Sequence, residues 1–169
     1  MAELAVQTGA RGESPAAFRS RLQTVEIITS GTQPAGDRLG YLHSCIDRRF
    51  VRSASAAFSK VSDLAPTQFW QGATAGGAAL ILGSLESLAT IGQERDIVAK
   101  GIAHARDHGA ELWGWQAHGD KCGGLPGQID SAIEDQLYDT AQVANEILPG
   151  QHFVIFSTEG LAVAKKVTR

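Results

Sequence analysis

Four short runs that read as strands, held apart by longer stretches of helical periodicity, constrain this chain most. The runs are 39–45 (LGYLHSC), 67–73 (TQFWQGA), 111–117 (ELWGWQA) and 152–157 (HFVIFS). Between the first two lies the Arg- and Ala-rich segment 47–60, which reads as a helix. Between the second and third, 78–88 and 93–108 read as two more, the latter with Ile97, Val98, Ile102 and Ala105 along its core side and Gly109 where a C′ glycine belongs. A Gly- and Pro-rich stretch, 118–128, precedes a helix ending near Ile147. Strands that alternate with helices join through crossovers, so the pattern predicts an α/β fold with a mainly parallel sheet flanked by helices. After Pro149-Gly150 and the strand 152–157, Glu159-Gly160 marks a turn into 161–167, which predicts a C-terminal hairpin. Ala75-Gly76-Gly77 marks a tight backbone passage after the second strand.

Residues 1–14 read as a loose leader, followed by an N-cap and first-turn proline at Ser14-Pro15 that predict a helix over 15–23. The run 25–28 is a short strand or a helix end, and Gly31 to Gly36 breaks the chain. With no linker, repeat or low-complexity segment, the 169 residues read as one domain, long enough to bury a core unaided. A net charge of −3 leaves no electrostatic footprint for nucleic acid, and no basic cluster suggests a membrane surface. No apolar run approaches the ~20 residues of a membrane helix, and the N-terminus has no signal-peptide layout. The expectation is a cytoplasmic protein.

Two cysteines, Cys45 and Cys122, are then the residues to account for. Either alone reads as a small buried hydrophobe. Their neighbours argue otherwise. Cys45 closes the first strand and is followed by Asp47 and Arg49; Cys122 lies just past the third strand, with His118 before it. In a parallel sheet, ligands gather beyond the carboxyl ends of adjacent strands. Two thiolates and one imidazole suit zinc, and three protein ligands leave a fourth position open, as a catalytic zinc requires.

These residues resemble the β-type carbonic anhydrases. That family carries Cys-x-Asp-x-Arg at the end of its first strand, and Cys45-Ile46-Asp47-Arg48-Arg49 matches it. Its His-x-x-Cys-Gly motif is similar to His118…Cys122-Gly123-Gly124, although here three residues separate the histidine and cysteine instead of two. Glycines 119, 123 and 124 are expected to absorb the extra residue in a bulge. Asp63-Leu64 with Gln68-Phe69-Trp70-Gln71-Gly72-Ala73 resembles the family's second strand, but Gln71-Gly72-Ala73 stands where the family places Arg-Asn. The resemblance spans about residues 38–165, and only the two motifs are specific. It implies zinc on Cys45, His118 and Cys122, with Asp47 and Arg49 as a catalytic gating pair. It also implies a lyase that interconverts CO2 and bicarbonate by attack of a zinc-bound hydroxide, and a homodimer embraced by the N-terminal arm. Hydrolysis of COS or CS2 on the same fold, and a non-catalytic zinc-binding relative, are the alternatives.

Other polar residues have ordinary readings. Asp47 and Arg49, away from Cys45, would be a surface ion pair opening a helix. His43 shares a strand face with Cys45 by the period-two rule; it reads as a packed or partner-facing histidine, with ligand or proton-shuttle roles second. His104 and His108, four apart, read as helix-surface residues, and Trp70, Trp113 and Trp115 as core or subunit-interface residues. There is no dinucleotide fingerprint, phosphate loop or Gly-x-Ser-x-Gly elbow.

Overall fold

The computed structural model describes residues 38–89, 96–119, 121–159 and 161–168. The expected leader, the helix over 15–23 and the run 25–28 lie outside the described residues. Among the described residues five strands form one sheet: β1 Leu39–Cys45, β2 Phe69–Thr74, β3 Ala110–His118, β4 Gln151–Thr158 and β5 Leu161–Lys166. Their order is β2-β1-β3-β4-β5; the first four run parallel and β5 returns antiparallel to β4 as the expected hairpin. The expected mixed α/β architecture with a mainly parallel sheet is what the chain adopts.

Among the described residues four helices cover the sheet: α1 Arg48–Ser62, α2 Leu82–Ala89, α3 Ile97–Asp107 and α4 Asp130–Ile147. Strand alternation sends Leu42, Leu112, Phe153 and Ile155 to one face, where Ala54 and Phe58 of α1 meet them. Tyr41, Cys45, Trp113, Trp115, Ala117 and Val154 take the other face, under Leu85, Ile102, Ile133, Leu137 and Ala141 of α2 to α4. Trp113 and Trp115 are fully buried, so core is their place; Trp70 is half-buried and meets the rings of His104 and His108.

Some element boundaries depart from the sequence pattern. The helix expected over 78–88 is a 3-10 turn, Gly77–Leu80, followed by α2, because Ile81 leaves helical geometry at φ −102°, ψ 11°. Pro66–Gln68 is likewise a 3-10 turn rather than the start of β2. Ile97, assigned to the core side of its helix, is 86% exposed. The buried residues Ala99, Ile102, Ala103 and Ala105 define an arc that leaves the first residue after the Asp96 cap on the opposite side.

A buried hydrogen-bond chain crosses the sheet near its β2 edge. Thr74 Oγ1 donates to the Gly77 carbonyl at 3.3 Å and therefore accepts from His43 Nε2 at 3.1 Å; His43 Nδ1 then accepts from the Tyr41 hydroxyl, also at 3.1 Å. His43 is a packed histidine with both nitrogens engaged, and burial holds its pKa down to about 4. The unfolded imidazole protonates near ~6.5. The stability contributed by the neutral ring is therefore complete above about pH 6.5 and lost as pH falls toward about 4, a change of roughly 3 kcal/mol. Urea unfolding of metal-free protein at both ends of that window is expected to show a steeper loss for wild type than for His43→Gln. Equal losses would refute the assignment.

Candidate metal centre

The carboxyl ends of β1 and β3 lie side by side at the centre of the sheet, and they carry Cys45 and His118 as their last residues. The loop that leaves β3 brings back Cys122. Its Sγ stands 4.0 Å from that of Cys45, and one donor atom from each of the three residues falls within 4.8 Å of the others. All three side chains are buried. Among the described residues this is the one such cluster of His, Cys, Asp or Glu able to hold a metal ion.

The hydrogen bonding around His118 fits a metal. Its Nδ1 lies 2.6 Å from the Gly119 carbonyl oxygen, which only accepts, so Nδ1 carries the proton. The Nε2 lone pair is then left buried with no hydrogen-bond partner. An interior acceptor without a donor is costly, and a cation beside the two sulfurs relieves it. Fixing one imidazole nitrogen by a carbonyl so that the other points outward as a ligand is how metal-binding histidines are oriented. Phe50 stacks on the ring at 4.2 Å between centroids and fixes its plane.

Opposing effects act on the Cys45 thiol. Burial pushes its pKa up, while the backbone amides of Asp47 and Gly76 bond the sulfur and pull it back; Cys122 beside it raises it again. Two sulfurs crowded together in this way favour a cation that neutralises both. Asp47 is held apart from the cluster. It is the N-cap of α1, its Oδ1 accepting the Arg49 N–H at 3.0 Å, which corrects the expectation that it lies inside the helix. The Arg49 guanidinium grips the same carboxylate through Nε at 3.1 Å to each oxygen and Nη2 at 2.7 Å. That grip holds its pKa down to about 2. Asp47 Oδ2 is 3.8 Å from His118 Nε2. Arg49 and Phe50 line a cavity of about 320 Å³ with Ser53, Thr158, Glu159 and Leu161.

The backbone makes room for the cluster by parting the two strands. Backbone pairing of β1 with β3 ends at His43 and Trp115, whereas β3 with β4 continues to His118 and Ser157. Gly77 occupies the gap: its φ is +61°, and a Cβ there would press on the Cys45 amide at 2.9 Å and still harder on the Gln116 carbonyl. The extra residue between His118 and Cys122 is not absorbed by a left-handed glycine. Lys121 takes the positive φ, +60°, a conformation that costs a non-glycine residue roughly 1–2 kcal/mol.

The structure thus brings together Cys45, His118 and Cys122, sets Asp47 and Arg49 beside them, and leaves His43, His104 and His108 out. His104 and His108 are exposed and stack at 4.0 Å near the end of α3. Phe50 and Gln116 escaped the sequence reading. Phe50 left no signal, being one apolar residue of a helix; Gln116 did, as an amide inside the otherwise apolar run Trp113 to Ala117. No helix among the described residues is long and apolar enough to cross a membrane. Comparison with family models, curated proteins and solved structures finds no significant match to the chain.

Proposed function

We propose that the chain is a zinc-dependent lyase that interconverts CO2 and bicarbonate, built like the β-type carbonic anhydrases its two motifs resemble, and acting as a homodimer. The observation that carries this reading is a buried three-donor cluster with a carboxylate held just outside it by Arg49. Two sulfurs and an imidazole nitrogen suit zinc better than a hard cation such as Mg2+. When bound, zinc supplies the Lewis acidity that makes water nucleophilic near neutral pH.

The chain's own groups supply orientation. With its pKa near 2, Asp47 is a carboxylate throughout the working range and only accepts hydrogen bonds. It would accept a hydrogen bond from the attacking water and so aim the oxygen lone pair toward the substrate carbon. Arg49 keeps the carboxylate in that role, and its release would free Asp47 to take the fourth ligand position and close the site. Arg49→Ala is therefore expected to lower kcat/KM for CO2 about 10- to 100-fold while leaving zinc content unchanged; unchanged activity would remove Arg49 from the mechanism.

Purified protein is expected to hold about one zinc per chain and to hydrate CO2 in stopped flow at a rate that rises from about pH 6.5 to about 9. Zinc-loaded protein that is inactive throughout overturns the lyase reading. Turnover of COS or CS2 by that inactive sample would keep the site and change the substrate. Zinc far below one per chain, unaltered by Cys45→Ser, would dismiss the metal.

A further inference from the structure

We infer that Gln116 is a positioning residue of the metal site, standing in for the strand ladder at Cys45 and setting where that thiolate sits relative to His118. The inference rests on the metal reading above. Where β1 and β3 part, the Cys45 amide has no carbonyl of β3 in register, since the last backbone pair is His43 with Trp115. It donates instead to Gln116 Oε1 at 2.8 Å.

The direction of the Gln116 amide is fixed by its partners. A backbone N–H only donates and a backbone carbonyl only accepts, so Oε1 faces Cys45 and Nε2 faces the Ala117 oxygen at 3.0 Å. Nε2 also donates to Ser157 Oγ of β4, at 3.2 Å. Both faces of the amide are thus engaged, in a side chain with no solvent exposure. The result is a crossbar over three strands, β1, β3 and β4, at the end where two of them separate.

Packing alone does not call for an amide here, since Leu112 on the same face of β3 and Ile155, its partner on β4, are apolar and buried. Gln116 lies two residues before His118, on the same side of β3 by strand alternation. It is therefore linked through the chain to one ligand and through a hydrogen bond to the backbone of another. An apolar side chain of equal length would fill the space but leave the Cys45 amide unpaired in the interior. That amide would seek a new partner, and Cys45 would move with it.

Gln116→Met is the test, read by zinc competition against a chromophoric chelator and by the visible spectrum of the Co2+-substituted protein. Zinc affinity is expected to fall about 10- to 100-fold, as for other groups that orient metal ligands, and the cobalt d–d bands to change in position and intensity. Ser157→Ala, which spares the bond to Cys45, is expected to bind zinc close to wild type. A Gln116→Met protein that is less heat-stable but keeps wild-type zinc affinity and cobalt spectrum overturns the inference alone; a wild type that binds no zinc overturns the metal reading with it. Should Gln116→Met not fold, amide exchange in metal-free wild type decides. A Cys45 amide that exchanges as slowly as the ladder amides of β1 supports the crossbar, and one that exchanges as fast as exposed loop amides refutes it.

Discussion

Cys45→Ser and Cys122→Ser are each expected to hold far less than one zinc per chain and to hydrate CO2 at least ~100-fold more slowly than wild type. A zinc ligand must be deprotonated, and a serine hydroxyl does not ionise where a thiol beside a cation does. The loss is expected to be similar for the two variants, because both sulfurs belong to one compact cluster within 4.8 Å of His118. Far-UV circular dichroism separates loss of metal from loss of fold, since the replacement is nearly isosteric and the site lies at the carboxyl ends of the strands. Cys122→Ser protein with wild-type turnover and zinc content would end the three-ligand assignment. Chelation of wild type is expected to lower Tm in a way that added zinc reverses. The donors come from β1, β3 and the loop after β3, so an ion that binds all three stabilises the folded chain by mass action.

Gly77→Ala is expected to destabilise the fold by about 3 kcal/mol, among the larger effects open to a single methyl group. Two causes add. The backbone is left-handed, at φ +61°, and the new Cβ would strike the Gln116 carbonyl and the Cys45 amide. Both obstacles are backbone held by the sheet, which cannot move aside as a flexible side-chain tip would. Gly83→Ala is the control: beyond its own stretch of helix no atom lies within 4 Å of its added Cβ, and Gly83 is an exposed residue of α2. That change is expected to stabilise by up to ~1 kcal/mol through helix propensity. Urea midpoints of the two variants should move in opposite directions from wild type. Equal midpoints would show that the gap between β1 and β3 is wide enough for a side chain at position 77.

The strands were legible because their signal is local. Tyr41, His43 and Cys45 alternate with Leu42 and Ser44, and the structure sends Tyr41 and Cys45 to one core and Leu42 to the other. Helix α1 was legible for the same reason, apart from its first residue: Asp47 caps the helix rather than joining it, a distinction carried by one side-chain bond to the Arg49 amide. Ile97 shows where the local signal ends. It satisfies helical spacing loosely, but only the position of α3 against the sheet shows that the buried arc runs through Ala99, Ile102, Ala103 and Ala105 and leaves Ile97 exposed.

The metal cluster divides along the same line. The donor types, their position at strand ends, and the Asp and Arg that follow Cys45 are written in the sequence, because each is a matter of residue identity and short spacing. The tertiary structure alone decided that Cys45, His118 and Cys122 converge, since residues 73 and 77 positions apart meet only when β1 and β3 become neighbours in the sheet. It also decided how the extra residue before Cys122 is accommodated, through a left-handed Lys121 rather than a glycine, and how the Cys45 amide is satisfied, through Gln116 rather than a strand partner. The second answer follows from the parting of two strands around Gly77, where the residues themselves mark only a tight backbone passage.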